Sequence, residues 1–207
     1  MVGEGVLFEC LANPEVEAVL VINRRPGGVT HPKLVEIIHQ DFFNLTSIAP
    51  ELAGYNACFF CLGISSFGIS AEAYLRTTYD ITISVAQLLA GLNPEINFCY
   101  VTGAGTDSSE QGRLAWARVK GATENALLRL LPNAYMFRPG AMKAMPGQKN
   151  LKTSYKLLEF LYPIGRRLYP DGFCTLQEVA LAMIHCAGQG APKRILGVKD
   201  IVQLAGG

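Results

Sequence analysis

The chain has 207 residues, enough for one domain of ordinary size, and a second independent core is not expected. Half of it is apolar, 17% is charged and the net charge is +1, which excludes an extended disordered chain and a strong global field for nucleic acid or a membrane. One local exception runs from Lys143 through Lys156 to Arg166 and Arg167, with six basic residues and one acid, Glu159; it reads as a solvated helix face or as a contact for a phosphate-bearing ligand.

Short β-rich runs alternate with helical ones along the chain. Val2–Leu11 reads as a helix with apolar Val2, Val6, Leu7 and Leu11. Val16–Asn23 (VEAVLVIN) reads as a buried strand, continuous in apolar residues as parallel strands are. Pro26–Pro32 is a loop, Val35–His39 a second strand and Thr46–Leu52 a short helix. Leu52–Ala71 holds 20 residues without a charge, long enough for a membrane span. Its Asn56, Ser65, Ser66 and Ser70, and its Gly54, Gly63 and Gly68, predict instead a strand at Ala57–Leu62 followed by a loop. Cys58 and Cys61 form a CxxC inside that strand, but no second cysteine pair or nearby His completes a zinc site. No metal site is expected. The six cysteines lie far apart, no signal-peptide pattern is seen, and the expected location is a reducing cytoplasm.

Ala71–Leu92 reads as a long helix with a stripe of Leu75, Ile81, Val85, Leu88 and Leu89, and Ile96–Thr102 as the fourth strand. Gly112–Leu131 is a second long helix stopped by Pro132, and Ala134–Arg138 a fifth strand stopped by Pro139. Leu151–Leu168 is helical and amphipathic, interrupted by Pro163. Leu176–Ala187 is a helix opened by Thr175, with Glu178 three positions on, and Arg194–Val198 is a last short strand. The alternation predicts an α/β fold: a Rossmann-like doubly wound parallel sheet, with a C-terminal region from about residue 140 to 207 that caps the substrate side of a single domain.

In such a sheet a dinucleotide lies across the carboxyl ends of the strands. The first strand end here is Asn23-Arg24-Arg25, where an arginine suits a 2′-phosphate and an acid would suit a ribose hydroxyl. Asp41 and Phe42 follow the next strand and are candidate adenine contacts. Cys61, Leu62 and Gly63 follow the third and permit close backbone approach to a ligand.

These features, with VINRRP (Val21–Pro26), FFCLG (Phe59–Gly63), YVTGAGTDSS (Tyr100–Ser109), WARVKGATE (Trp116–Glu124) and FRPG (Phe137–Gly140), resemble the short-chain dehydrogenase/reductase superfamily. The resemblance is to atypical members on the NAD(P)-binding epimerase/dehydratase side, similar in layout to the Tat-interacting-protein type of oxidoreductase. It implies NADP as cofactor, with NAD less favoured, a small-molecule substrate and a homodimer through the two long helices. It implies Arg24 and Arg25 at the 2′-phosphate, Lys120 at the nicotinamide ribose, and Phe137, Arg138, Pro139, Gly140 and Ala141 beneath the nicotinamide. Thr102, Trp116 and Lys120 would line the reacting end.

Two departures stand out. The family opens with a strand and a glycine-rich turn, and this chain starts at MVG, so Gly3 corresponds to the last glycine of that turn. Without that strand, four or five buried apolar residues are absent, about 6–15 kcal/mol of burial. That is comparable with the whole stability of a domain. The natural product is therefore expected to start about ten or more residues upstream. The family also pairs a tyrosine with the lysine four positions on, and Trp116 occupies the tyrosine position. An indole N–H donates a hydrogen bond but is no acid or base near neutral pH. Losing a positioned general acid lowers rates by about 10²–10⁴-fold. Tyr79, Tyr100 or Tyr155 is a candidate substitute. Three readings stay open: an NADP-dependent oxidoreductase or epimerase-like enzyme, a non-catalytic NADP-binding sensor or partner-binding module, and a fold that has lost nucleotide binding.

Overall fold

The structure, a computed structural model, describes residues 1–148 and 162–206. Helix α1 (Val2–Ala12) leads into β1 (Val19–Asn23) and β2 (Leu34–Ile38). A short helix α2 (Ala49–Leu52) precedes β3 (Ala57–Phe60). The expected helix at 71–92 is present but not uniform: α3 (Ala71–Leu75) and α4 (Ile81–Leu92) flank a π-helical turn at Arg76–Asp80. There β-branched Thr77 turns its hydroxyl back onto the Ala73 carbonyl at 2.7 Å, competing with the helical ladder. Strand β4 (Asn97–Val101), helix α5 (Ala115–Leu130) and β5 (Ala134–Phe137) follow.

The C-terminal region holds two features absent from the sequence reading. Strands β6 (Ala141–Lys143) and β7 (Phe173–Thr175) pair in parallel, and an amphipathic helix α8 (Val198–Ala205) follows the short strand β8 (Ile195–Leu196). Residues 162–168 are helical and are labelled α6; the rest of the helix expected at Leu151–Leu168, Tyr155 included, lies outside the described residues. Helix α7 (Leu176–Gln189) opens with the expected cap: Thr175 accepts from the Glu178 N–H, and the Glu178 carboxylate accepts from the Thr175 N–H.

Every pair of strands runs parallel, and the described strands fall in three sheets. The main sheet has the order β3-β4-β5-β8. Side chains alternate between two apolar layers. Cys99 and Phe137 face α1 and α7 on one side; Phe98, Tyr100 and Met136 face α4 and α5 on the other. Central strand β5 is buried on both faces, as expected for a parallel strand covered by helices on both sides.

Strands β1 and β2 form a separate two-stranded sheet. Yet β1 contributes to the same two layers: Val19 packs on the first, Leu20 and Ile22 on the second. Strand β3 does likewise through Phe59 and through Cys58 and Phe60. Helix α1 touches both strands. The two sheets therefore lie in one layered arrangement, with no described strand joining β1 to β3. This matches a doubly wound sheet lacking its first strand.

The backbone carries the mark of that break. The Val19 N–H donates to Lys33 O at 2.8 Å, so the amides of Leu20 and Ile22 turn away from β2. The Asn97 N–H donates to Asn56 O at 3.0 Å, so the amide of Phe59 turns away from β4. In native-state hydrogen exchange, the amides of Leu20, Ile22 and Phe59 should exchange well before those of Cys99 and Tyr100. Equal protection of the two groups would contradict the break.

Candidate functional site

The site forms where the ends of β4 and β5 meet the first turns of α5. Glycine decides the approach. A Cβ at Gly121 would lie 1.7 Å from the Asp107 carbonyl oxygen, so only glycine lets the loop after β4 rest on α5. Asp107 then organises that loop, accepting from the Ser109 hydroxyl at 2.6 Å and the Gly112 N–H at 2.6 Å. Those bonds hold its carboxyl below the ordinary range.

Lys120 and Thr102 are brought into direct contact. The Lys120 ammonium donates to the Thr102 carbonyl at 2.5 Å. Trp116 lies one turn earlier on the same face of α5, with its indole against Gly105 of the loop. Burial pushes the Lys120 ammonium below the ordinary lysine range, and the Glu124 carboxylate opposes that shift. Tyr100 does not replace the missing tyrosine: its ring lies in the core beside Phe60, and burial pushes its phenol up.

Glu124, which received no role from the sequence, completes the cluster. Glu124 is fully buried and accepts from the Thr102 hydroxyl at 2.6 Å. It also forms an ion pair with Arg138, whose Nε donates to Oε1 at 3.1 Å. Arg138 reaches on to the Ser108 hydroxyl at 2.5 Å. The guanidinium expected beneath the nicotinamide is thus engaged by Glu124 and Ser108. A signal was present in the sequence: Ala117, Gly121, Glu124 and Leu127 mark one buried stripe of α5, and an acid interrupts it.

The other expected residues divide. Arg24 and Arg25 are exposed and, with Asn23 and Gln40, line an open cavity of about 530 Å³ at the end of β1. Glu36 shapes its rim, accepting from the Asn23 side chain at 2.7 Å and the Gly27 N–H at 2.9 Å. Asp41 is exposed and caps its own turn through the Phe43 N–H at 2.9 Å; Phe42 packs on the second apolar layer. Gly3, in the first turn of α1, meets Cys61 at the end of β3. Leu62 packs on the second layer, and Gly63 is exposed. Gly5 serves packing, since a Cβ there would lie 2.2 Å from Leu176. Phe137 and Pro139 are buried; the Phe137 and Pro139 carbonyls accept from the Thr102 and Ala104 N–H groups, both at 2.8 Å. A side chain at Gly140 would meet the Gly172 carbonyl, and Ala141 begins β6.

Burial pushes the Cys58 and Cys61 thiols up to about 12, so neither is a thiolate at neutral pH. Among the described residues, no group of three or more His, Cys, Asp or Glu is placed to hold a metal, and no helix is long and apolar enough to cross a membrane.

No family model and no curated protein sequence matches the chain. Solved structures do. Helicobacter pylori ADP-L-glycero-D-manno-heptose-6-epimerase matches with a TM-score of 0.67 at 14% identity, over 98% of this chain and 77% of that one. DesIV, a dTDP-glucose 4,6-dehydratase from Streptomyces venezuelae solved with NAD and TYD bound, matches at 0.67 and 16% identity, over 99% and 76%. WbmG from Bordetella bronchiseptica, solved with NAD and UDP, matches at 0.66 and 11%, over 100% and 75%. The chain has a Rossmann-like fold similar to the folds of these proteins. In a Rossmann fold the strand carboxyl ends form the ligand crevice, and the Lys120 cluster and the Arg24/Arg25 cavity both lie at such ends.

The Gly121 contact gives a direct test. Gly121→Ala should displace the loop after β4 and lower stability by about 1–3 kcal/mol in chemical denaturation. A stability loss near that of an exposed helical Gly→Ala change, zero or slightly favourable, would show that the loop does not rest there.

Proposed function

We propose that the chain binds a dinucleotide across the ends of β1, β3, β4 and β5, with NADP preferred over NAD. On this reading it is an oxidoreductase or epimerase-like enzyme for a small carbonyl, alcohol or sugar substrate. The observation that carries the reading is the pairing of a lysine ammonium and a threonine at the end of β4 with two exposed arginines beside a cavity at the end of β1.

The donors present fit the cofactor. Arg24 and Arg25 offer the planar forks that a phosphate monoester takes. Lys120 has three N–H donors, one of them on the Thr102 carbonyl, and supplies a fixed cation for a ribose hydroxyl. When bound, the nicotinamide supplies hydride transfer. The chain's own contribution is placement: Thr102 and Lys120 fix the polar edge of the reacting end, and the Trp116 indole covers the loop beside it. The Trp116 N–H can orient a substrate oxygen but cannot exchange a proton with it.

That last point favours a second reading, in which the nucleotide is held for sensing or for presenting a surface to a partner. A broad panel of carbonyl substrates separates the two. Turnover above background supports the enzyme; tight NADPH binding with background turnover supports the sensor.

The cofactor preference is tested by calorimetric titration of NADPH and NADH. Arg24→Ala combined with Arg25→Ala should weaken NADPH binding by about tenfold to a hundredfold, the loss of a charge-assisted contact, and leave NADH unchanged. An equal loss for both nucleotides, or none, contradicts the role given to the arginines.

A further inference from the structure

We propose that Glu124 is a positioning residue for Lys120: its buried carboxylate, acting through Thr102, fixes where the lysine ammonium sits and balances its charge. What Lys120 then does for a nucleotide rests on the reading above; the placement of the ammonium does not.

The geometry runs through one residue. Thr102 presents two groups from the end of β4. Its carbonyl accepts from the Lys120 ammonium at 2.5 Å, and its hydroxyl donates to Glu124 Oε1 at 2.6 Å. The same hydroxyl lies 3.1 Å from the Phe137 carbonyl, and the Thr102 N–H donates to that carbonyl at 2.8 Å. Thr102 therefore has little rotational freedom, and the atom that receives Lys120 is fixed from behind. Lys120 and Glu124 stand one turn apart on α5, so helix and strand define the distance between cation and anion from both sides.

The charges around this pair are few. On α5 the facing acid is Glu124 itself. From β5 comes Arg138, held by both Glu124 oxygens. From β4 comes Tyr100, a neutral phenol at physiological pH because burial pushes it up. From the loop after β4 comes Asp107, whose carboxylate is turned to Ser109 and Gly112. One fully buried anion thus pairs directly with Arg138 and acts on Lys120 through space and through Thr102. An arginine guanidinium keeps its charge in a protein, so the group whose charge state can depend on Glu124 is Lys120. Burial favours its neutral form and Glu124 opposes that. Removing the carboxylate while keeping its shape should let the ammonium lose its proton at lower pH. An opposite charge one helical turn away favours the charged lysine, so its loss favours the neutral form.

The test reads the lysine itself. In protein labelled with ¹³C-lysine, the Cε–Hε signal of Lys120 is identified by its loss in Lys120→Arg and followed against pH. Glu124→Gln should move its titration to lower pH, and Glu124→Asp should restore most of the shift. Because Glu124→Gln leaves Arg138 without its anion, a second variant pairs Glu124→Gln with Arg138→Met. A neutral pair of similar volume is commonly tolerated in place of a buried ion pair, and a smaller downward shift is expected there, because the Arg138 charge is removed with the carboxylate. A Lys120 titration unchanged from the native protein in either folded variant overturns the proposal. A protein that binds no NADPH but shows the shifts keeps the proposal and loses only the nucleotide reading.

Discussion

Glu124 has no exposed side-chain area, and it accepts hydrogen bonds from Thr102 at the end of β4 and from Arg138 just after β5. Burying a carboxylate is unfavourable unless its lone pairs are filled, and here a hydroxyl and a guanidinium fill them. The consequence is geometric. Helix α5, two strand ends and the Ser108 side of the loop are joined at one point. Breaking such a pair by removing one partner costs about 3–5 kcal/mol. The candidate site is therefore built beside a buried, fully hydrogen-bonded anchor.

The break between β1 and β3 is the other governing fact. Both strands are fitted to the same two apolar layers, but their alternate amides have no strand to pair with among the described residues. The half of the site at Lys120 rests on the continuous sheet β3-β4-β5-β8. The half at Arg24 and Arg25 rests on the two-stranded sheet. A dinucleotide would span both, so its affinity depends on how firmly the apolar layers hold the two sheets in register. Helix α1 touches both, and its first turn carries Gly3 against Cys61.

Much of this was legible in the sequence. Continuous apolar runs such as ACFF and NFCYV gave the parallel strands, because a strand covered on both faces has no polar alternation. The Thr175–Glu178 spacing announced the cap of α7, a purely local signal. The Trp116–Lys120 spacing placed both on one face of α5. What escaped was non-local or short. β6 and β7 are three residues each and exist only because they pair across a long separation in the chain. α8 has eight residues, and its Val198 and Ile201 blend into the preceding apolar run. The π-helical turn leaves the apolar stripe of the long helix almost undisturbed. Arg138 read as a ligand contact because its partner, Glu124, is 14 positions away on another element.

On the proposed reading a nicotinamide lies at the Lys120 end of the site, beside Trp116, the only tryptophan in the chain. Reduced nicotinamide absorbs where indole emits, so tryptophan fluorescence during an NADPH titration measures that proximity directly. Saturable quenching at micromolar NADPH is expected, with NADH much weaker. Calorimetric binding of NADPH without any quenching would place the nicotinamide away from Trp116 and contradict this placement.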